Sequence, residues 1–264
     1  MMRKALYLDG AAEPVEVVLD GPALRIRRYA RADARAPIRL LGRIVVSGSV
    51  AWRTDALLAC MDAGVPVVFV AADGAARGWA VGAQGTEEDI NLLLEDACLD
   101  RDWKGHREDW IRGMERRSLI AAINGLKVHP ASMRGPEAWA ACEARVDALN
   151  APVKAAAIAA CLKGALSAHV AQLLRGQGIA GRFATGYGAP VRLLDDFTRI
   201  LAWELWPLVW EAALYFCRHG VKHRTEADVR RRLIRFYEAQ APKMERRFAD
   251  LFWRFRWHVR EVLR

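Results

Sequence analysis

No run of about eighteen uncharged apolar residues occurs in this sequence, so no bilayer-spanning helix is expected. The opening Met1–Asp9 stops too soon to form the apolar core of a signal peptide. A soluble, cytoplasmic chain without a membrane partner is the resulting expectation. Cysteine is equally uninformative as a framework. The five residues Cys60, Cys98, Cys142, Cys161 and Cys217 are odd in number, widely spaced and contain no Cys-x-x-Cys pair. That argues against a structural zinc site and for reduced thiols in the core. Histidine is scarce, with six in the chain and none between His169 and His219.

What is present is a chain of 264 residues, 53% hydrophobic, long enough for one large or two modest domains with a substantial core. The formal charge is +9 and the isoelectric point is near 9.7. Such a balance favours a polyanionic partner, because surface lysine and arginine neutralise phosphates and release their counterions. The charge is concentrated in two places. From Arg224 to Arg264 there are twelve Lys/Arg against six Asp/Glu. Near the N-terminus Arg25, Arg27, Arg28, Arg31, Arg35, Arg39 and Arg43 have only Asp33 opposing them within the same stretch.

The character of the chain changes near residue 85. Before it, short β-branched runs such as Val15–Leu19, Arg43–Val46 and Val65–Val70 are bounded by Gly, Pro or Asp and read as strands. Between them, Trp52–Ala63 carries Leu57, Leu58 and Met61 at helical spacing and ends at Gly64, a helix-stop residue. After Gly82–Gly85 those runs vanish. Thr86–Asp89 can cap a helix, and segments of 3.6-residue period continue to the end. The expectation is an α+β protein in which a β-rich N-terminal domain with a short helix, residues 1–85, precedes a larger all-α C-terminal domain, residues 86–264.

Chemistry could first sit on the helix expected over Pro136–Leu149. Proline suits its first turn, and Glu137 projects from the same turn, where the helix dipole alone favours a carboxylate. His219 and His223 have the i, i+4 spacing of a metal pair, but Arg218, Lys222 and Arg224 flank them and favour a basic patch. His169 lies among apolar neighbours and reads as a packing residue. In the segment Leu251–Arg260, aromatics alternate with arginine. That pattern suits base stacking and phosphate pairing, or an amphipathic helix that buries Leu251, Phe255, Val259 and Val262 and leaves the arginines to solvent.

The run Arg134-Gly135-Pro136-Glu137-Ala138, followed by a helix, resembles the metal-ligand glutamate motif of CRISPR-associated protein one, the integrase that inserts spacers into CRISPR arrays. Upstream, Arg43–Val50, the helix Thr54–Ala63, Gly64–Phe69 and Gly74 are similar to that family's strand, helix, strand and glycine-containing turn. Downstream, Asn150 and the helix to Leu174 stand where the family has an asparagine-led helix, while Pro207 lies further beyond Asp195 than the family's proline. The resemblance spans roughly residues 20–215. It implies a β domain joined to a helical domain, a homodimer, and DNA bound together with CRISPR-associated protein two.

The resemblance also exposes a departure. The family's histidine position is taken by Thr185 in Arg182-Phe183-Ala184-Thr185, and no histidine lies nearby to replace it. Asp195 matches the first aspartate, but Thr198 stands where the metal-binding acid is expected. Only Glu137 remains of three expected ligands, too few to fix a catalytic divalent ion. The expected function is therefore DNA binding, to duplex or branched DNA, without metal-dependent catalysis. The protein would act alone as a dimer or with an active paralogue, and no cofactor is expected. The candidate contacts to DNA are Arg134, Arg182, Arg192, Arg224, Arg231, Arg246, Arg254 and Arg256. The alternative is an active integrase or endonuclease that uses Mg²⁺ or Mn²⁺ at a site rebuilt from Glu137 with Asp195 or Asp196. In that case Glu204, about two turns beyond, is a further acid within reach.

Overall fold

A computed structural model describes residues 3–29, 31–71, 76–82, 89–220 and 225–264. Two compact units emerge: Met1–Glu95 with Ser167–Leu194, and Asp96–Leu166 with Asp195–Arg264. The expected α+β organisation is observed, with a strand-rich N-terminal region followed by helices.

In the first unit, one six-stranded sheet has the order β3-β2-β1-β4-β5-β6. Its strands are β1 (Lys4–Asp20), β2 (Ala23–Arg28), β3 (Ala34–Pro37), β4 (Leu41–Trp52), β5 (Val67–Val70) and β6 (Ala76–Ala80). β1 and β2 form a hairpin closed by Gly21 and Pro22, with Asp20 paired to Ala23. Gly21 has φ +58°, a conformation that suits the first position of such a two-residue loop. β1 is much longer than the Val15–Leu19 run foreseen, because Leu6–Gly10 pairs in parallel with Ile44–Gly48 of β4. That crossing requires glycine. A Cβ on Gly10 would lie 2.0 Å from the Ser49 carbonyl oxygen, and Gly48 has φ +70°.

The connection from β4 to β5 is helix α1 (Thr54–Asp62), which ends as expected at Gly64 in the left-handed region. Its fully buried residues are Ala56 and Cys60, Leu57 packs partly buried against the same core, and Leu58 is half exposed. The small residues let the helix lie close to the sheet, where Leu8, Val17, Leu24, Ile44 and Val67 form the core. The end of α5 (Ala155–Gly176) and the short α6 (Gly181–Thr185) complete this unit. Asn91 of α2 (Asp89–Leu99) ties them in, donating to the Gly178 carbonyl at 2.9 Å and accepting from the Ala180 N–H at 3.0 Å. The cap foreseen over Thr86–Asp89 lies outside the described residues, apart from the Asp89 backbone, and so does Gly74.

The second unit contains α3 (Trp103–Leu126), α4 (Gly135–Asp147), α7 (Leu193–Ala202), α8 (Trp206–His219) and the 37-residue α9 (Glu226–Val262). α9 starts with a complete capping box, in which Thr225 and Asp228 satisfy each other's backbone N–H groups. Leu233, Tyr237, Met244, Phe248, Phe252, Phe255 and Val259 make a continuous buried stripe along it. Phe197 of α7 lies 5.3 Å from Phe248 and 5.7 Å from Phe255, centroid to centroid. The amphipathic reading of Leu251–Arg260 therefore holds for Leu251, Phe255 and Val259, with Val262 only partly buried. Asn150 is not at the head of a helix. It has φ +54°, and the first N–H of α5, at Ala155, is capped at 2.9 Å by Asp147 Oδ1 instead.

Two stretches, Ala155–Gly176 and Leu193–His219, are long and apolar enough to cross a membrane by length and composition. In each the larger share of the apolar window is buried within the protein, as in core helices. None of the five cysteines is in a disulfide. Burial pushes the Cys60 and Cys142 thiols up to about 11, whereas Cys217 is exposed and does not belong to the core as expected.

Candidate functional site

Residues 131–138 present Glu137 at the first turn of α4. Arg134 is the N-cap in an extended conformation, and Pro136 lies in the first turn without costing a helical hydrogen bond. The Glu137 carboxylate is exposed and accepts a hydrogen bond from the Ser132 hydroxyl, whose oxygen accepts the Arg134 N–H at 3.3 Å. Ala138, Cys142 and Val146 form the buried edge of α4. Trp139 meets Trp203 and Trp206 edge-on at 5.2 and 4.8 Å and donates its indole N–H to Glu143 at 3.0 Å. A rigid aromatic base thus fixes the start of this helix.

α7 carries the other expected acids, and its periodicity separates them. Asp195 and Arg199 face outward, while Asp196 and Thr198 are buried. Asp196 is not available as a ligand in this arrangement. Its Oδ2 receives both Nη2 and Nε of Arg107 from α3, at 2.6 and 3.1 Å. Burial raises the Asp196 carboxyl above its ordinary range, with Arg107 and then Arg199 pulling the other way. The Thr198 hydroxyl oxygen is buried and has no hydrogen-bond partner among the described residues.

A third carboxylate, Glu115 of α3, is not singled out by the sequence. A Cβ built on Gly135 would lie 4.0 Å from its Oε1, so Glu115 sits beside the start of α4. It is also taken by a cation, because Arg199 Nε reaches Glu115 Oε2 at 3.0 Å. Only its close spacing with Arg112, Arg116 and Arg117 on α3 is visible in sequence, and such spacing is common on solvated helices. Glu204 pairs with Arg247 at 2.6 Å, so it is a salt-bridge acid and not a rebuilt ligand. Among the described residues, no group of three or more His, Cys, Asp and Glu side chains could hold a metal ion. Asp196, Glu115 and Glu204 are thus each paired with an arginine.

In the first unit, Thr185 closes α6 by donating its hydroxyl back to the Gly181 carbonyl at 2.9 Å. Arg182 pairs with Glu95 and lies over the Phe183 ring at 4.8 Å. His169 is fully buried, and burial followed by the nearby Arg43 charge lowers it to about 3. It is a packing residue, as expected. His219 Nδ1 lies 2.9 Å from the Tyr215 carbonyl oxygen and its ring stacks on that of Tyr215, while His223 and Arg224 lie outside the described residues.

Of the remaining arginines proposed for DNA, Arg134, Arg192, Arg231, Arg246 and Arg254 are exposed and Arg256 is half-buried. Arg254 is paired with Asp250 at 3.0 Å, whereas Arg246 and Arg256 have no ion-pair partner among the described residues. Beside Arg254 and Arg256 on α9, Trp253 and Trp257 are 66% and 57% exposed, one turn apart.

The family model described as CRISPR associated protein Cas1 matches residues 11–104. A CAS1 protein from Thermotoga maritima superposes with a TM-score of 0.72 at 13% identity, covering 97% of both chains. The chain has the Cas1 fold. TtCas1 in a DNA complex superposes at 0.57 with 14% identity, over 94% of this chain and 91% of that one. A chain of a Cas6-RT-Cas1–Cas2 complex superposes at 0.58 with 14% identity, over 95% of this chain and 35% of that longer one. No curated sequence matches. With identities this low, the shared property is the Cas1 architecture, and the site chemistry of this Cas1-fold chain follows from its own residues.

Proposed function

We propose that this Cas1-fold protein binds duplex or branched DNA as a member of a CRISPR adaptation module and no longer carries out metal-dependent strand chemistry. The arginines bound to the acids around α7 carry the proposal. Arg107 holds Asp196, Arg199 holds Glu115, and Thr198 occupies the position where the family resemblance implies a ligand. A divalent ion held through Asp196 would have to displace a guanidinium from a buried carboxylate, and Glu137 with the exposed Asp195 supplies too few ligands to repay that cost. The residues present do not fit the ion, so no catalytic step is derived through one. The rival assignment, Mg²⁺ or Mn²⁺ held by Glu137 with Asp195 or Asp196, is weakened at Asp196 for the same reason.

DNA as partner is supported by the +9 charge, by the surplus of cations along α9, and by the fold shared with TtCas1 captured on DNA. The fold shared with a chain from a Cas1–Cas2 complex supports Cas2, or an active paralogue, as protein partner. In this reading residues 1–85 form the homodimerisation domain, residues 86–264 carry the DNA surface and the remnant site, and the protein is cytoplasmic. Titration of a labelled branched duplex by fluorescence anisotropy, with Mn²⁺ calorimetry and a strand-joining assay on the same preparation, tests it. Saturable DNA binding that weakens steeply with salt, without Mn²⁺ uptake or joining, is expected. Joining that disappears in Glu137→Ala would instead establish the enzyme.

A further inference from the structure

Near the α8–α9 junction, a cavity of about 270 Å³ is lined by Tyr215, Asp228, Arg231, Arg232 and Arg235. Three arginines line it because positions 231, 232 and 235 fall within about one turn of α9. The Arg232 guanidinium lies 4.4 Å over the Tyr215 ring and 5.4 Å from that of Phe236. Tyr215 is in turn held by the His219 ring, stacked at 4.2 Å, and by the edge of Phe236 at 5.3 Å. The orientation of the Arg232 fork is therefore fixed before any ligand arrives, and its Nε is buried with no hydrogen-bond partner among the described residues.

Counter-charge within the cavity is scarce. Asp228 is committed to the helix cap, where it accepts the Thr225 N–H at 3.1 Å and the Thr225 hydroxyl at 2.8 Å. It reaches Arg231 only at 3.9 Å. Arg235 has no ion-pair partner among the described residues. One held guanidinium, Arg232, and two exposed ones, Arg231 and Arg235, share one occupied acid and repel one another, and an anion with several acceptor oxygens relieves that repulsion while satisfying the remaining donors. A carboxylate offers two oxygens in one plane. A phosphate offers three or four at tetrahedral angles, a better match to guanidinium groups arriving from different positions around the helix.

We infer that this cavity is a phosphate-binding site, formed by Arg231, Arg232 and Arg235 against the Tyr215 ring. For the source of the phosphate, a nucleic-acid strand, the inference rests on the DNA-binding reading; a free phosphorylated molecule has the same chemistry and is separated by experiment. The test compares wild type, the double variant Arg231→Gln/Arg235→Gln and Arg232→Lys. Each is titrated with a labelled branched duplex across a salt series and separately with inorganic pyrophosphate. Arg231 and Arg235 are exposed, so the double variant keeps the fold, and an unchanged thermal melt verifies this.

The double variant should lower the slope of log K against log salt by about 0.9 for each phosphate it no longer neutralises. Arg232→Lys should weaken binding while preserving charge, because the planar fork is gone. Loss of slope together with pyrophosphate competition assigns the site to a strand phosphate. Wild-type binding of pyrophosphate, absent from the variants, without any DNA binding leaves the phosphate site standing and removes the DNA reading. Equal DNA affinity and slope in all three proteins, or no binding of either probe, overturns the inference.

Discussion

Two arginine-rich regions of this protein contrast sharply. Along β2 and β3, every second side chain of β2 enters the core as Leu24 and Ile26, and the arginines around them meet acids on neighbouring segments. Arg25 lies 3.3 Å from Asp33, Arg27 lies 3.2 Å from Glu16, Arg35 lies 2.6 Å from Asp20, and Arg31 lies 3.2 Å from Glu13. Arg43 leaves the surface altogether, buried and bonded to Gln172 at 2.7 Å. Along α9, by contrast, Arg232, Arg235, Arg246, Arg256 and Arg260 have no ion-pair partner among the described residues. Similar densities of arginine therefore mean different things. A sheet brings distant acids alongside, whereas the arginines of α9, Arg247 with Glu204 aside, meet acids among the described residues only at i±3 and i±4 on the same helix.

The largest expected effect comes from removing the packing that presents the helix. Phe248, which is 1% exposed, stacks on Phe252 and touches Phe197. Phe248→Ala should destabilise the protein by about 3–5 kcal/mol and reduce DNA binding through loss of the folded α9 surface. Urea denaturation would measure it, and a change below about 1 kcal/mol would mean that the arginine face does not depend on this aromatic cluster.

Next comes the buried chemistry of the sheet-bearing unit. His169 is held neutral at about 3 by burial and by Arg43, and its ordinary value in the unfolded chain is near 6.5. Its folded value is depressed, so its contribution is complete above 6.5 and falls away as pH drops toward 3. Between about pH 7 and pH 5 the loss should be about 2 kcal/mol. His169→Gln should flatten that part of the stability profile in chemical denaturation at each pH. An unchanged profile would show that the acid sensitivity arises elsewhere.

These contrasts also explain how much of the structure is legible in the sequence. The strand-rich start, α1 with its Gly64 stop, and the amphipathic C-terminal helix follow from periodicity and punctuation, which are local. The full length of β1 does not, because Asp9-Gly10-Ala11-Ala12-Glu13-Pro14 has turn composition, yet parallel pairing with β4 reaches Gly10 and, after a register shift, resumes at Val15. β2 looks like a charge cluster alone, since arginine at alternate positions masks the Leu24 and Ile26 pattern. At the candidate site, the position of Glu137 in a first turn is visible, and so is the replacement of ligands by Thr185 and Thr198. The Arg107–Asp196 and Arg199–Glu115 pairs are not, because each joins residues more than eighty positions apart.

A moderate effect should distinguish the two regions directly. Arg246→Gln/Arg256→Gln on α9 should weaken binding of a branched duplex by roughly tenfold at low salt and reduce the salt slope by the equivalent of about two phosphates. Arg25→Gln/Arg27→Gln on β2 should change it little. Anisotropy titrations of both variants check this, and equal losses would mean that ion-paired arginines serve DNA as well as those without an acid beside them.

The smallest effect is the converse experiment, which turns the sheet into a surface like the helix. Glu16→Gln and Asp33→Asn remove both acids facing Arg27 and the nearer of the two facing Arg25, Asp20 remaining at 3.6 Å, without changing side-chain shape. These pairs are largely solvent-exposed, so the stability change should stay within about 1 kcal/mol. The released Arg27 and the partly released Arg25 should raise non-specific DNA affinity by a few-fold at low salt, an increase that fades as the Debye length shrinks. If affinity rises, pairing alone kept the N-terminal cluster silent. If it does not, the orientation of α9, and the cavity at its start, contributes something that exposed positive charge does not supply.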